Sequence, residues 1–180
     1  GHKGFLSETC DPENEVQFIT DINLERAQHS DSKENPLIEE RMEANGFKPE
    51  IHYGDAGFVN GTTILESLER DIDLAGPSSG RSQSLENFER DDRPLDVADF
   101  KVEIDEESKE LIVISCPAGC VPQDQIHSNK TEKTLVHFSA KTCADCALAP
   151  RCPIKIGKQI ATLTVDETQY TGAQRHHRYM

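Results

Sequence analysis

The sequence predicts an α/β fold: a mixed sheet with helices, followed by a small β-rich unit carrying clustered cysteines. Three observations predict it. Residues 15–27 alternate, with Val16, Phe18, Ile22 and Leu24 on one face and Gln17, Asp21, Asn23 and Glu25 on the other. Two helix signatures and two short apolar runs follow. Five of the six cysteines (all but Cys10) then fall within 37 residues, Cys116 to Cys152.

The elements come in order. Residues 3–11 and 15–27 read as two strands joined by a turn at Asp11-Pro12-Glu13-Asn14. After a polar loop, Asn35-Pro36 opens a helix, with Asn as N-cap and Pro in the first helical position. Asn45-Gly46 closes it. Residues 50–55 form a strand that ends in an acid, Asp55, flanked by Gly54 and Gly57. A second helix starts near Thr62 or Thr63 with Ile64, Leu65 and Leu68 inward, and residues 72–76 form a further strand. The order is β-β-α-β-α-β. Residues 77–97 are polar and read as a linker. Beyond it come a hairpin over residues 100–115 with its turn at 106–109, a strand near 134–138 and another near 159–165. Asp166 is placed to cap a final helix over residues 166–180, truncated by the chain end.

Composition narrows the function classes. The 180 residues carry a formal charge of -14, which argues against a free-standing nucleic-acid binder. Residues 86–110 hold 11 acids against 4 bases, half of the net charge. Residues 125–160 hold 6 Lys or Arg against 2 acids, and Arg175-His176-His177-Arg178 adds a basic end. No run of ~18 apolar residues is present, so a membrane helix is excluded and no membrane partner is expected. The N-terminus lacks a secretory pattern, which points to a cytoplasmic location. A first residue other than Met is expected of a piece cut from something longer.

Cys143-x2-Cys146-x5-Cys152, with Cys116-Pro117-Ala118-Gly119-Cys120 upstream, is the strongest local signal for chemistry. Two thiolates two residues apart grip one tetrahedral ion from a tight turn, and a distant pair closes the cage. One set of four is Cys116, Cys143, Cys146 and Cys152; the other pairs Cys116 and Cys120 with Cys143 and Cys146. Zinc is favoured over an iron–sulfur cluster, in a closed and therefore structural site. Asp55 is the second signal, because an acid at a strand end with glycines around it suits a divalent-metal carboxylate. The same residues also make an ordinary strand-to-helix turn. His29, Asp31 and Asp21 are weaker candidates, His176-His177 reads as a surface pair and Cys10 as a small packed residue. Neither a phosphate-cradling glycine loop nor Gly-x-Ser-x-Gly nor His-Glu-x-x-His occurs.

Several segments together resemble the DDE transposases of bacterial insertion sequences, in the branch with a cysteine-rich insertion in the catalytic domain. Residues 1–11, GHKGFLSETCD, resemble that family's Gly-Tyr-Lys-x-x-Leu-x-Glu-Thr-Cys stretch. Asp55-Ala56-Gly57-Phe58 resembles its Asp-Ala-Gly-Tyr, and Asp73-Leu74-Ala75-Gly76-Pro77 its Asp-Leu-x-Gly-Pro. Cys116-Pro117-Ala118-Gly119, Cys143-Ala144-Asp145-Cys146 and Arg151-Cys152 resemble its cysteine set. The pieces keep the family's order and cover nearly the whole chain.

The resemblance implies a middle fragment. Residues 1–76 would be a partial RNase H-like catalytic core, 77–97 a linker and 98–165 the β-rich cysteine insertion. It implies two Mg²⁺ ions that activate water or a 3′-hydroxyl for attack on a DNA phosphodiester. Asp55 would be the second acid of the triad, the first lying before Gly1 and the catalytic Glu after Met180, so the fragment alone would be inactive. DNA, as element ends and target, would be the partner of the complete protein, which could also form a homodimer. The family has no cysteine at the position of Cys120, which favours Cys116, Cys143, Cys146 and Cys152 as Zn²⁺ ligands. The rival expectation is a non-catalytic zinc module that binds nucleic acid or protein, a decayed or domesticated remnant.

Overall fold

The order of elements follows from where the chain can pair and cap itself. The computed structural model describes residues 1–77, 93–105, 107–108 and 110–178. Most of the expected linker, residues 78–92, lies outside the described residues, as do Glu106 and Lys109 of the hairpin turn and the last two residues of the expected final helix. The fold is mixed α/β, and it divides into two units between residues 80 and 81.

In the first unit, β1 (His2–Glu8) pairs antiparallel with β2 (Ile19–Arg26), with Phe5 opposite Asn23 and Leu6 opposite Ile22. The ladder is shorter than expected. Its register shifts between Ser7 and Glu8, the pairing runs out after the Thr9 N–H bonds the Phe18 carbonyl at 2.9 Å, and the connection is tied by Asp11 Oδ1 accepting the Glu13 N–H at 2.9 Å. The predicted alternation is present with an unexpected outcome: the polar face of β2 is the packed one. Asp21 is 6% exposed, whereas Ile22 is 73% and Leu24 66% exposed.

The reason lies on α1 (Asp31–Ala44). Its inward positions are Glu34, Asn35, Ile38, Glu39 and Met42, so it offers charge as well as methylene to the strands. Arg41 forks onto Asp21, Nε to Oδ1 at 2.8 Å and Nη2 to Oδ2 at 2.9 Å, and its Nη2 also donates to Glu34 Oε1 at 2.7 Å. These carboxylates hold the Arg41 guanidinium well above its ordinary pKa, the hydrogen bond it donates to Asp21 most of all. Asn23 donates to the same Glu34 oxygen at 2.8 Å.

The helix does not start where the sequence suggests. Ser30, in extended backbone, is the N-cap residue, and the N–H groups of Lys33 and Glu34 bond its carbonyl. Asn35 is fully buried inside the helix, donating to Glu39 Oε1 at 3.1 Å and to Ser67 Oγ at 3.3 Å. An amide that satisfies a buried carboxylate stabilises more than one that caps a helix end in water. Pro36 therefore lies inside the helix, where it removes one ladder bond near the N-terminus. The predicted stop holds. Gly46 takes φ +79°, and the N–H groups of Phe47 and Gly46 bond the carbonyls of Met42 and Glu43, the 6→1 and 5→2 closure of a helix end.

A β-α-β turn completes the unit. β3 (Ile51–Tyr53) and β4 (Asp73–Ala75) pair in parallel, joined through α2 (Gly61–Leu68). Asn60 caps α2 by accepting the N–H groups of Thr62 and Thr63, while Thr63 Oγ1 accepts the Asn60 N–H. Ile64 faces inward as expected, but Leu68 is 48% exposed and Thr63 and Ser67 take the buried places. The strands form two separate two-stranded sheets, β1-β2 and β3-β4. Two small apolar clusters support them: Phe5, Ile38 and Met42, and Val59, Ile64 and Leu74. Phe58 touches both and meets Phe5 edge-on at 5.9 Å.

The second unit holds the larger core. β5 (Lys101–Ile104) and β6 (Leu111–Ser115) form the expected hairpin. A four-stranded sheet runs in the order β7 (Asp124–Ser128), β8 (Lys133–Ser139), β10 (Ile160–Asp166), β9 (Lys155–Ile156). Strand β7 gave little signal in the sequence, since Ile126 is its only large apolar residue and is itself exposed. Asp166 caps α4 (Glu167–Arg178) as expected, Oδ1 accepting the Gln169 N–H at 2.8 Å. Tyr170 and Ala173 of α4 close a core with Phe100, Val113, Val136 and Phe138.

Two outcomes follow. A methyl group on Gly76, at φ +138°, would sit 2.0 Å from the Gly54 carbonyl oxygen, so Gly76→Ala should destabilise the first unit by at least about 2 kcal/mol. Arg41→Ala leaves two buried carboxylates without their cation and should cost about 3 kcal/mol. Urea titration followed by circular dichroism measures both, and a midpoint unchanged from wild type would contradict either.

Candidate metal centre and acidic cleft

Asp55 lies two residues beyond β3, after Gly54, and stands exposed at the rim of an open cleft of about 890 Å³. Leu6, Glu8, Asp11, Glu50 and Tyr53 also line this cleft, so its charged rim is mostly acidic. The Asp55 side chain closes its own turn: Oδ1 accepts the Gly57 N–H at 2.7 Å, and its carbonyl accepts the N–H groups of Phe58 and Val59. Gly57 is where space matters. A Cβ there would lie 2.6 Å from Asp31 Oδ2 and 3.0 Å from Asp55 Oδ1, so the two carboxylates flank one glycine.

The fit to Mg²⁺ is that of one arm of a site. Magnesium is held through one or two carboxylates plus waters and substrate phosphates, and Asp55 supplies one exposed carboxylate. Two other acids the sequence offers in this unit are engaged in ion pairs. Asp31 pairs with Lys3 and Asp21 with Arg41. His29 Nε2 lies 2.8 Å from Glu34 Oε2, an ion-pair distance without good hydrogen-bond direction. Cys10 is exposed on the cleft wall and is not a packed residue, because the ladder ends before it and the loop carries it into solvent. Glu39, which the sequence did not single out, is fully buried and accepts from Ser67 Oγ at 2.7 Å, with His52 Nδ1 at 3.1 Å from the same oxygen.

In the second unit, all five clustered cysteines line one cavity of about 30 Å³. Cys116 and Cys120 come from one turn, in which the Cys116 N–H bonds the Cys120 carbonyl at 2.9 Å and the Cys120 N–H points at Cys116 Sγ at 3.3 Å. Gly119 makes this turn possible at φ +81°. Cys143 lies within α3 (Ala140–Ala144), and Cys146 follows just beyond, its N–H bonded to the Cys143 carbonyl. Cys152 ends a 3₁₀ turn over Ala149–Arg151, and its sulfur receives a backbone hydrogen bond from Ile154.

Three of these thiols are held toward their neutral form. Burial pushes the thiols of Cys143 and Cys152 up, and neighbouring cysteines push them further. Cys120 is raised in the same way, by burial first and then by Cys116. Gathered thiols that resist ionisation without a counter-charge become ligands when an ion supplies one. The donor set fits zinc. Closing it takes inward rotation of the side chains, since a tetrathiolate ion places sulfurs about 3.8 Å apart. Among the described residues, the one set of three metal-type donors within 4.8 Å of one another is Asp96, Asp99 and His177. Those acids are already used: Asp96 and Asp99 cap the 3₁₀ turn Val97–Asp99, and Arg93 forks onto Asp99. His176 and His177 are half-buried where a surface pair was expected, because α4 packs that side against the turn and places His177 Nε2 3.1 Å from Asp96.

Thiol reactivity should report this arrangement. In metal-free protein near neutral pH, a disulfide reagent should modify Cys10 about ten-fold or more faster than Cys143 or Cys152. Mass-spectrometric mapping of the first label would read it, and first label on Cys143 would contradict it. In comparisons with known proteins, no protein family, no curated protein and no solved structure matches this chain.

Proposed function

We propose that this chain is the middle of a DDE-type transposase catalytic domain whose complete protein cleaves and joins DNA phosphodiester bonds, with Asp55 as one of its metal-binding acids. The observation that carries the reading is the position of Asp55: two residues past the end of a parallel strand in a β-β-α-β-α-β run, exposed on the rim of an open acidic cleft. In the complete protein, paired Mg²⁺ ions would activate the attacking oxygen and stabilise the leaving one. The contribution of this chain is to hold one carboxylate in place. The Gly57 N–H fixes Oδ1, and β3 and α2 anchor the two sides of the turn. One carboxylate cannot hold two ions, so this segment alone is inactive in this proposal. The resemblance puts the other two acids outside these 180 residues.

The second unit acts in this proposal as a structural zinc module. Its core joins partly buried Cys116, Cys143 and Cys152 to Phe138, Leu163 and the rest of the sheet, so an ion there ties loops to β8 and β10. A second reading, a non-catalytic zinc module that binds nucleic acid or protein, is favoured by one contrast. The thiol cavity is complete within this chain, whereas Asp55 is a single arm.

The two readings separate in one experiment. In the complete protein, Asp55→Asn should lower strand cleavage by about a thousand-fold or more without lowering the melting temperature, since Asp55 is exposed. Unchanged cleavage would remove Asp55 from the chemistry. A reading frame around this segment that supplies no further acids would leave only the zinc module.

A further inference from the structure

Two strand edges of the first unit open onto one cleft. In the β3-β4 ladder the Asp73 N–H bonds the Glu50 carbonyl and the Gly54 N–H bonds the Ala75 carbonyl, both at 2.9 Å. Glu50, His52 and Gly54 therefore turn their backbone toward β4, and Ile51 and Tyr53 turn theirs the other way. In the β1-β2 ladder the Ala27 N–H bonds the Gly1 carbonyl, and the Thr9 N–H bonds the Phe18 carbonyl. That phase turns Phe5 and Ser7 toward β2, and Leu6 and Glu8 away from it. Leu6, Glu8, Ile51 and Tyr53 all line the cleft of about 890 Å³.

Helix α1 supports both pairs from the same side: Phe5 packs on Ile38 and Met42, and His52 meets Glu39. Ile38, Met42 and Phe58 also line the cleft, while Leu6, Ile51 and Tyr53 are exposed on the opposite faces of their strands. The two pairs are thus half-sheets laid on one helix, with backbone donors and acceptors directed into the space they share. Strand rise, strand spacing and sheet separation give about 160 Å³ per strand residue, so the cleft takes on the order of five residues.

We infer that the cleft is the seat of one further strand, supplied by the complete polypeptide from outside residues 1–180, which pairs with β1 on one side and β3 on the other and joins the two half-sheets into one of five strands. This rests on the reading above that the chain is the middle of a larger domain. The chemistry of the strand follows from its walls. It is apolar on both faces, one meeting Ile38, Met42 and Phe58 and the other lying between Leu6 and Tyr53, and it carries no proline. A second copy of this chain offers no such strand, because each of β1 to β4 already has a neighbour and a central strand must accept two new ones. A two-stranded ladder is marginal in water, so the added strand belongs to the folded domain and is not a visiting ligand.

The test is amide hydrogen exchange, read residue by residue by NMR, on this chain and on the complete protein. The amides of Leu6, Glu8, Ile51 and Tyr53 should exchange at least about 100-fold more slowly in the complete protein, whereas Phe5 and Ser7, bonded to β2 in both, should change far less. Equal rates in the two proteins overturn the inference. Protection that appears only when another protein is added also overturns it and gives the cleft to a partner. Leu6→Pro supplies a second readout, since it removes an N–H that only the added strand would use. It should shift the melting temperature of this chain by no more than about 2 °C and lower that of the complete protein by at least about 5 °C. An equal loss in both contradicts the pairing. The two readings fail separately: unchanged cleavage by Asp55→Asn removes the chemistry and leaves the five-stranded sheet, while fast amides in the complete protein remove the strand and leave Asp55.

Discussion

The guanidinium of Arg41 makes the first unit possible. Helix α1 buries two glutamates, and strand β2 turns an aspartate toward it, an arrangement that without a cation would repel itself. Arg41 donates to Asp21 and Glu34 at once, in the planar fork that lysine cannot reproduce. Its neighbours complete the set: Asn23 and His29 address Glu34, while Asn35, Ser67 and His52 gather on Glu39. With so few apolar side chains in either cluster of this unit, directional bonds carry specificity that a larger core would supply by shape.

The second unit solves the same shortage differently. Its sheet and α4 bury an apolar cluster that includes Phe100, Phe138 and Ala173, and Cys116, Cys143 and Cys152 pack against it. Turn Cys116–Cys120, helix α3 and the 3₁₀ turn before Cys152 are each too short to hold position by packing alone. What they share is the cavity, so an ion there would fix three loops with one set of bonds. This is the economy by which small units low in apolar residues acquire a defined shape.

Much of this was legible in the sequence, and the failures have physical causes. The β-β-α-β-α-β order, the Gly46 stop, the hairpin after Phe100 and the Asp166 cap all follow from local chemistry acting within a few residues. The start of α1 did not, because Asn35 is claimed by Glu39 and Ser67, the latter 32 positions away, and no local rule sees that partner. The faces of β2 were likewise decided at a distance, by Arg41. At the candidate sites, spacing alone brought the five cysteines to one cavity, but it could not rank Cys120 against Cys152, which depends on how two separate turns converge. Asp31 beside Asp55 was invisible for the same reason: their meeting point is the missing side chain of Gly57.

The outward face of the β1-β2 hairpin has a consequence for handling the molecule. Leu6 and Ile22 are cross-strand partners, Leu24 lies on the next same-face rung, and all three are more than half exposed. Such a stripe on a short, accessible ladder invites edge-to-edge self-association as concentration rises. The formal charge of -14 opposes it by mutual repulsion, and that repulsion weakens with added salt. Solubility of this chain is therefore set by a contest between a sticky ladder and a charged surface, and the ionic strength of the buffer shifts the balance.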